Sequence, residues 1–318
     1  MKEYAVGGAK PQFLEIGEEL AGQRVDNFLL ARLKGVPKSH VYRLLRTGQV
    51  RINGGRCQAQ RRLDRGDVLR IPPLRMAAAE PPAVPLGAVQ VRLDGRILHE
   101  DDDLLVLNKP AGLAVHGGTG LSFGVIEGLR MLRPQDCFLE LVHRLDRDTS
   151  GCLLIAKKRS TLKALHELFR SDQQVDKVYW ALLAGPWARK QVSITAPLRK
   201  NILQGGERMV RCAADGKPAQ TDFRRLRKFP QVTLVEARLH TGRTHQIRVH
   251  AQSMGHPVVG DDRYGDVAVN QEFRRRGLKR LFLHAHSLEF RHPRSGLPVA
   301  VAAPLEPDLQ RLLEQLAP

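Results

Sequence analysis

The nine residues HRLDRDTSG at positions 143 to 151 set one carboxylate, Asp146, between Arg144 and Arg147 and run directly into the apolar segment CLLIAKK. The Thr-Ser-Gly sequence reverses the chain, and residues 152 to 156 read as a fully buried strand. A carboxylate beside a turn at a strand edge is well placed for chemistry, as nucleophile or as base. Taken alone, the segment reads more readily as a loop ion pair or as an aspartate capping its own turn. Only the rest of the chain shifts that balance.

Candidate partners lie in segments that read as elements of one domain. NKPAGLAVHGG at 108 to 118 closes a strand with Pro and Gly, so its backbone could approach a ligand closely. Tyr179 sits in the strand-like run DKVYWALL, whose alternation turns one face inward. The segment TGRTHQIRVHAQSMGHPVVGDDRYG at 241 to 265 offers a Gly turn, then Arg243, then a short helix bearing His245, Arg248 and His250. Further short apolar runs, VTLVEARL and RLFLHAHSLEF among them, are separated by turn signals, with helical patterns clearest at 161 to 169 and 305 to 316. Such a mixture predicts an α+β domain on a large, mainly antiparallel mixed sheet.

Composition bounds the partners. The 318 residues carry 51 Lys and Arg against 33 Asp and Glu, a formal charge of +18, which favours a polyanion. No run of eighteen apolar residues and no apolar leader core is present, so a cytoplasmic protein without membrane contact is expected. Cys57, Cys137, Cys152 and Cys212 are scattered and form no C-x-x-C pair, which speaks against both a zinc site and a disulfide framework. His240, His245, His250, His256, His284 and His286, with Asp261 and Asp262 nearby, show no recognised ligand spacing; no metal is expected.

The charge is concentrated near the start. From Arg24 to Arg75 thirteen basic residues stand against Asp26, Asp64 and Asp67. Within that stretch Ser39 reads as the N-cap of a short helix with Val41, Leu44 and Leu45 on one face, stopped by Gly48. A strand, QVRIN, and a turn at Gly54 and Gly55 follow. The runs RVDNFLL, VYRLLRTGQVRING and DRGDVLRI resemble the S4 RNA-binding domain, which makes Lys38, Arg43, Arg46 and Arg51 candidate RNA contacts. The expected organisation is a tail at 1 to 20, an S4-like domain at 21 to 76, an Ala- and Pro-rich linker at 77 to 89, and a catalytic domain at 90 to 318.

Five ordered motifs, HRLD-x-x-TSG, K-x-Y-x-A, GRTHQIRVH, GHP-x-x-GD-x-x-YG and LHA, closely resemble the RluA family of pseudouridine synthases over nearly the whole chain. The runs LNKPAGLAVHGGTGLSFGVIEGLRMLRP and PLRKNILQGGERMVR resemble its large-subunit ribosomal RNA type. The resemblance implies the pseudouridine synthase fold and isomerisation of uridines in 23S ribosomal RNA or its precursor, without metal, nucleotide or other cofactor. It assigns Asp146 as the catalytic carboxylate, Arg243 as its ion-pair partner and Tyr179 as the ring stacked on uracil. Arg144 would fill the gap left by the flipped base, and His143 would order the loop. A monomer is expected. Two other classes stay open at this point: a catalytically silent S4-domain ribosome assembly factor, and a nucleoside or glycoside hydrolase, which needs a second carboxylate to activate water. Asp148, two residues on in an extended segment, would point away from Asp146.

Overall fold

A computed structural model describes residues 11–18, 20–33, 36, 38–74, 93, 95–117, 123–171, 174–202 and 208–317. The chain divides into two compact units, Met1–Ala83 and Val84–Pro318. The linker expected at 77 to 89 lies outside the described residues.

In the first unit two helices, α1 (Val25–Arg32) and α2 (Lys38–Arg46), pack on an antiparallel sheet of β1 (Gln12–Glu15), β4 (Val68–Ile71), β2 (Arg51–Ile52) and β3 (Gly55–Arg56), in that spatial order. Val41, Leu44 and Leu45 recur at helical spacing and are buried with Phe28, Leu29 and Ile52, which is what fixes the face of α2. Each such apolar side chain contributes about 1.5–3 kcal/mol on burial. Three expectations need correction. Residues 12 to 15, read as tail, form the edge strand β1 paired to β4, since a four-residue strand carries too little alternation to stand out. The helix already contains Lys38, so Ser39 lies in its first turn and is not the cap. The hairpin turn is made by Asn53 (φ 50°) and Gly54 (φ 79°), the pair of positive φ values that a tight two-residue loop demands, and Gly55 belongs to β3. Gly48 (φ 69°) does end α2.

The second unit is built on a ten-stranded sheet. Its main path runs β10 (Gln191–Thr195), β13 (Gln220–Lys228), β14 (Val232–Leu239), β9 (Val175–Ala184), β15 (Leu283–Arg291), β8 (Ser150–Ala156), β6 (Leu104–Lys109) and β5 (Ile97–Glu100). β16 (Pro298–Ala302) pairs with β15, and β7 (Glu140–Leu141) with β8. Every pairing is antiparallel except β8 with β15, so the sheet is mixed and mainly antiparallel. A separate hairpin joins β11 (Leu198–Ile202) to β12 (Arg208–Cys212). The helices whose bounds fall among the described residues are α3 (Val125–Leu132), α4 (Arg159–Arg170), α5 (Gln246–Ser253), α6 (Val267–Arg275) and α7 (Pro307–Gln315).

β6 and β8 are buried at every position because the sheet is covered on both faces. Leu105, Leu107, Leu153 and Ile155 enter one core; Leu104, Val106, Leu154 and Ala156 enter another. That alternation is the two-residue strand period seen from both sides. The parallel step pairs Ser150 with His284 and Gly151 with Ala285. Gly151 has φ 108°, and a Cβ there would lie 2.2 Å from the Ala285 carbonyl oxygen; only glycine lets the chain pass.

Candidate active site

Asp146 lies in the loop between β7 and β8, with its backbone carbonyl accepting the Thr149 amide at 3.2 Å to close the turn. The loop is tied from below by Lys109. This fully buried lysine donates to the carbonyls of Pro110 (2.9 Å), Leu113 (2.8 Å) and Arg147 (3.0 Å), and so joins the NKPAG loop to the HRLD loop. His143 accepts the Leu154 amide at Nε2 (3.0 Å) and stacks on Phe169. Burial pushes its pKa down to about 4, so at neutral pH it is an uncharged acceptor that holds the loop to β8. Beneath the turn, Ser150 Oγ and His284 Nδ1 are 2.9 Å apart, and Arg280 donates to the same hydroxyl at 2.8 Å.

The partner of Asp146 comes from α5, and it is Arg248. Its Nη1 donates to Asp146 Oδ2 at 3.2 Å, while Nε and Nη2 grip Asp261 at 2.7 and 2.8 Å. The guanidinium also lies over the Tyr264 ring, 5.0 Å from its centroid. Burial alone would lower the pKa of Arg248, but Asp261 and Asp146 outweigh it and hold it above its ordinary value. Burial likewise opposes the charge on Asp261; Arg248 overcomes it and keeps that carboxyl below its usual range.

Arg243 therefore does not make the ion pair expected of it. It precedes the helix, is exposed, and donates from Nε to the Pro218 carbonyl at 3.0 Å, although it still lines the pocket. A signal for Arg248 existed: an arginine between Ile247 and Val249 on a helix apolar enough to be buried must bring a carboxylate with it.

The pocket is a small cavity of about 110 Å³, lined among others by Asp146, Tyr179, His245 and Arg248, with Arg144 and Arg243 toward solvent. Tyr179 stands on β9 between Ala237 and Ala285, whose small side chains leave its ring room. Burial first, and then the Asp146 charge, raise its pKa, so the phenol stays protonated. His245 is a residue the sequence offered without a role. It occupies left-handed backbone (φ 55°, ψ 21°) at the start of α5, with Nε2 3.7 Å from Asp146 Oδ2 and Nδ1 2.9 Å from the Tyr264 hydroxyl. Tyr264 in turn accepts the Val210 amide at 2.9 Å. Burial lowers the His245 pKa against the pull of Asp146, which favours the neutral ring.

Among the described residues lining the pocket, Asp146 is the single carboxylate. Asp148 instead accepts from Arg147 at 3.2 Å. Of the other histidines weighed as metal ligands, His250 bonds with Thr221 and Ala196, His240 with Asp222, His256 with Ala184 and His284 with Ala303, while His286 stacks on Trp180 and its buried Nδ1 has no hydrogen-bond partner among the described residues. A different trio, Asp101, Asp103 and His292, brings three potential ligand atoms within 4.8 Å of one another away from the pocket, but Lys158 and Arg294 already neutralise Asp103.

Of the candidate RNA contacts, Arg43 and Arg46 are exposed on α2, and Arg51 folds back onto the Gly48 carbonyl at 3.2 Å. The side chain of Lys38 lies outside the described residues.

Residues 103–253 match the family described as RNA pseudouridylate synthase, and residues 23–69 match the S4 domain. The chain is 53% identical over 310 residues to the ribosomal large subunit pseudouridine synthase C of Haemophilus ducreyi, covering 97% of this chain and 96% of the relative. It is 53% identical over 308 residues to the protein of that name from Escherichia coli K12, covering 96% of each. Among solved structures, human RNA pseudouridylate synthase domain containing 4 superposes with a TM-score of 0.60 at 26% identity, over 73% of this chain and 96% of that one.

Proposed function

The chain belongs to the RNA pseudouridylate synthase family, and from that premise we propose that it isomerises specific uridines of 23S ribosomal RNA with Asp146 as the catalytic carboxylate. The observation that carries the reading is one carboxylate, clamped by Arg248 and facing Tyr179, in a pocket with no second carboxylate among the described lining residues. The reaction breaks the C1′–N1 bond, turns the uracil and forms C1′–C5; C5 loses its proton and N1 gains one. Nothing is oxidised and nothing leaves, so one carboxylate suffices, acting at C1′ or on a ribose proton. A hydrolase would need a second carboxylate for water, which the pocket does not offer.

In this reading Arg248 holds and aims Asp146 through its hydrogen bond to Oδ2, and Tyr179 stacks on the flipped base, its protonated hydroxyl facing C5. Flipping costs a few kcal/mol of unstacking. Arg144, exposed at the mouth and without an ion-pair partner among the described residues, stacks into the gap in the RNA. The S4 unit adds sequence-independent grip through the arginines that have no carboxylate partner among the described residues, such as Arg43 and Arg46. RNA tritiated at uracil C5 tests the proposal. The protein is expected to release tritium from 23S ribosomal RNA, and Asp146→Asn to release none while binding the RNA within a few-fold. Release of free uracil would make it a hydrolase, and binding without release would make it an assembly factor.

A further inference from the structure

The S4 unit carries a groove of about 630 Å³ bordered by Tyr42, Arg43, Arg46, Arg56, Gln58 and Gln60. Tyr42 is 44% exposed, one of few large aromatic side chains so presented. Its ring is nevertheless fixed. The hydroxyl donates to Asp26 Oδ2 at 3.1 Å, and Asp26, 1% exposed, is held by Arg24 through two hydrogen bonds of 3.1 and 2.6 Å and by the Asn27 amide at 2.8 Å. A tethered hydroxyl on a buried, fully occupied carboxylate leaves the ring pre-oriented, with little rotamer freedom left to lose on binding.

The charges around it are uncompensated. Arg43, Arg46 and Arg56 have no carboxylate partner among the described residues, whereas Arg24, Arg61 and Arg65 of the same unit each pair with an acid. Arg56 lies across Gly48, where an added Cβ would come within 2.6 Å of its Nε; the glycine that ends α2 therefore also seats a cation at the groove. A flat ring bordered by guanidiniums that have no carboxylate partner among the described residues, with two amide side chains at hand, fits a planar base between phosphates. Bases in a duplex are already stacked and cannot use the ring.

We propose that this groove binds one unpaired nucleotide of single-stranded RNA, its base stacked on Tyr42 and its flanking phosphates held by Arg43, Arg46 and Arg56. The inference rests on RNA as the substrate and names the feature the S4 unit seeks in it: an unstacked base rather than a duplex shape.

The full-length protein tests this with a short labelled oligouridylate and a duplex RNA of equal charge. Tyr42→Ala is expected to weaken oligouridylate binding about 5- to 150-fold, the worth of one base stack, without altering the salt slope, because stacking releases no counterions. Arg56→Ala is expected to flatten that slope. Tyr42→Phe, which keeps the ring and loses the tether to Asp26, and Tyr42→Trp should both bind far better than Tyr42→Ala, and the new tryptophan should be quenched by the oligonucleotide. On 23S ribosomal RNA, Tyr42→Ala should lose kcat/KM mainly through KM. Equal weakening by Ala, Phe and Trp, equal losses on duplex RNA, or an affinity untouched by Tyr42→Ala overturns the stacking site. Tritium release by the unaltered protein reports on the isomerase reading separately: its absence would remove that reading and leave the oligouridylate comparison intact.

Discussion

Asp146 and Arg248 are 102 residues apart in sequence, and the ion pair between them depends on a second carboxylate, Asp261, that takes two of the three donor nitrogens. A planar fork can serve both acids at once, which an ammonium cannot. Arg248→Lys is therefore expected to cut single-turnover tritium release about 10²-fold or more, while Arg243→Lys stays within a few-fold. The reverse ranking would return the pairing role to Arg243. Arg248→Met is a poorer test, because stranding the buried Asp261 would cost about 3–5 kcal/mol of stability and confound the kinetics.

At the level of elements, the loop bearing Asp146 is fixed by the parallel step from β8 to β15 and by Lys109 below it. Gly151 is the tightest point of that step. Gly151→Ala would drive a Cβ into the Ala285 backbone from a left-handed position, and about 2–5 kcal/mol should be lost in urea denaturation. Gly255→Ala is the control: φ 77° but open space around the new atom, so about 1 kcal/mol. Similar losses at both sites would mean that backbone strain alone, and not the strand contact, accounts for the effect.

Across the catalytic unit, buried histidines set the acid side of stability. His143 and His284 are pushed by burial to about 4, and His245, His250 and His286 are lowered for the same first reason. A folded-state pKa below the unfolded value of about 6.5 means that unfolding takes up protons, so this stability is complete above that value and is lost as pH falls toward 4. Each group should contribute a slope of up to about 1.4 kcal/mol per pH unit in that window. Urea midpoints taken across it should fall with pH, and His284→Gln, which can keep a hydrogen bond to Ser150 or Ala303, should make the fall shallower. A flat profile in the unaltered protein would refute the assignment.

The sequence by itself determined the elements whose signals are local. The apolar runs of β6, β8, β9, β14 and β15 and the helical spacing of α4 and α7 are legible because strand and helix periods are written in consecutive residues. The position of Asp146, a carboxylate beside a turn at the start of a buried strand, was legible for the same reason, whereas the role proposed for it came from the resemblance of five separated motifs and not from its own segment. Tertiary structure decided what depends on distant pairing. Which arginine of GRTHQIR meets Asp146, the left-handed turn at His245, the parallel register that requires Gly151, and the triple grip of Lys109 all arise where segments distant in sequence converge at the ends of interior strands. Of the two arginines five residues apart, Arg248 alone stands between apolar residues, but that local sign does not say which carboxylate it meets. The pairing is decided once the helix buries Arg248 against Asp146 and Asp261 and leaves Arg243 in solvent, where no desolvation compels it to pair.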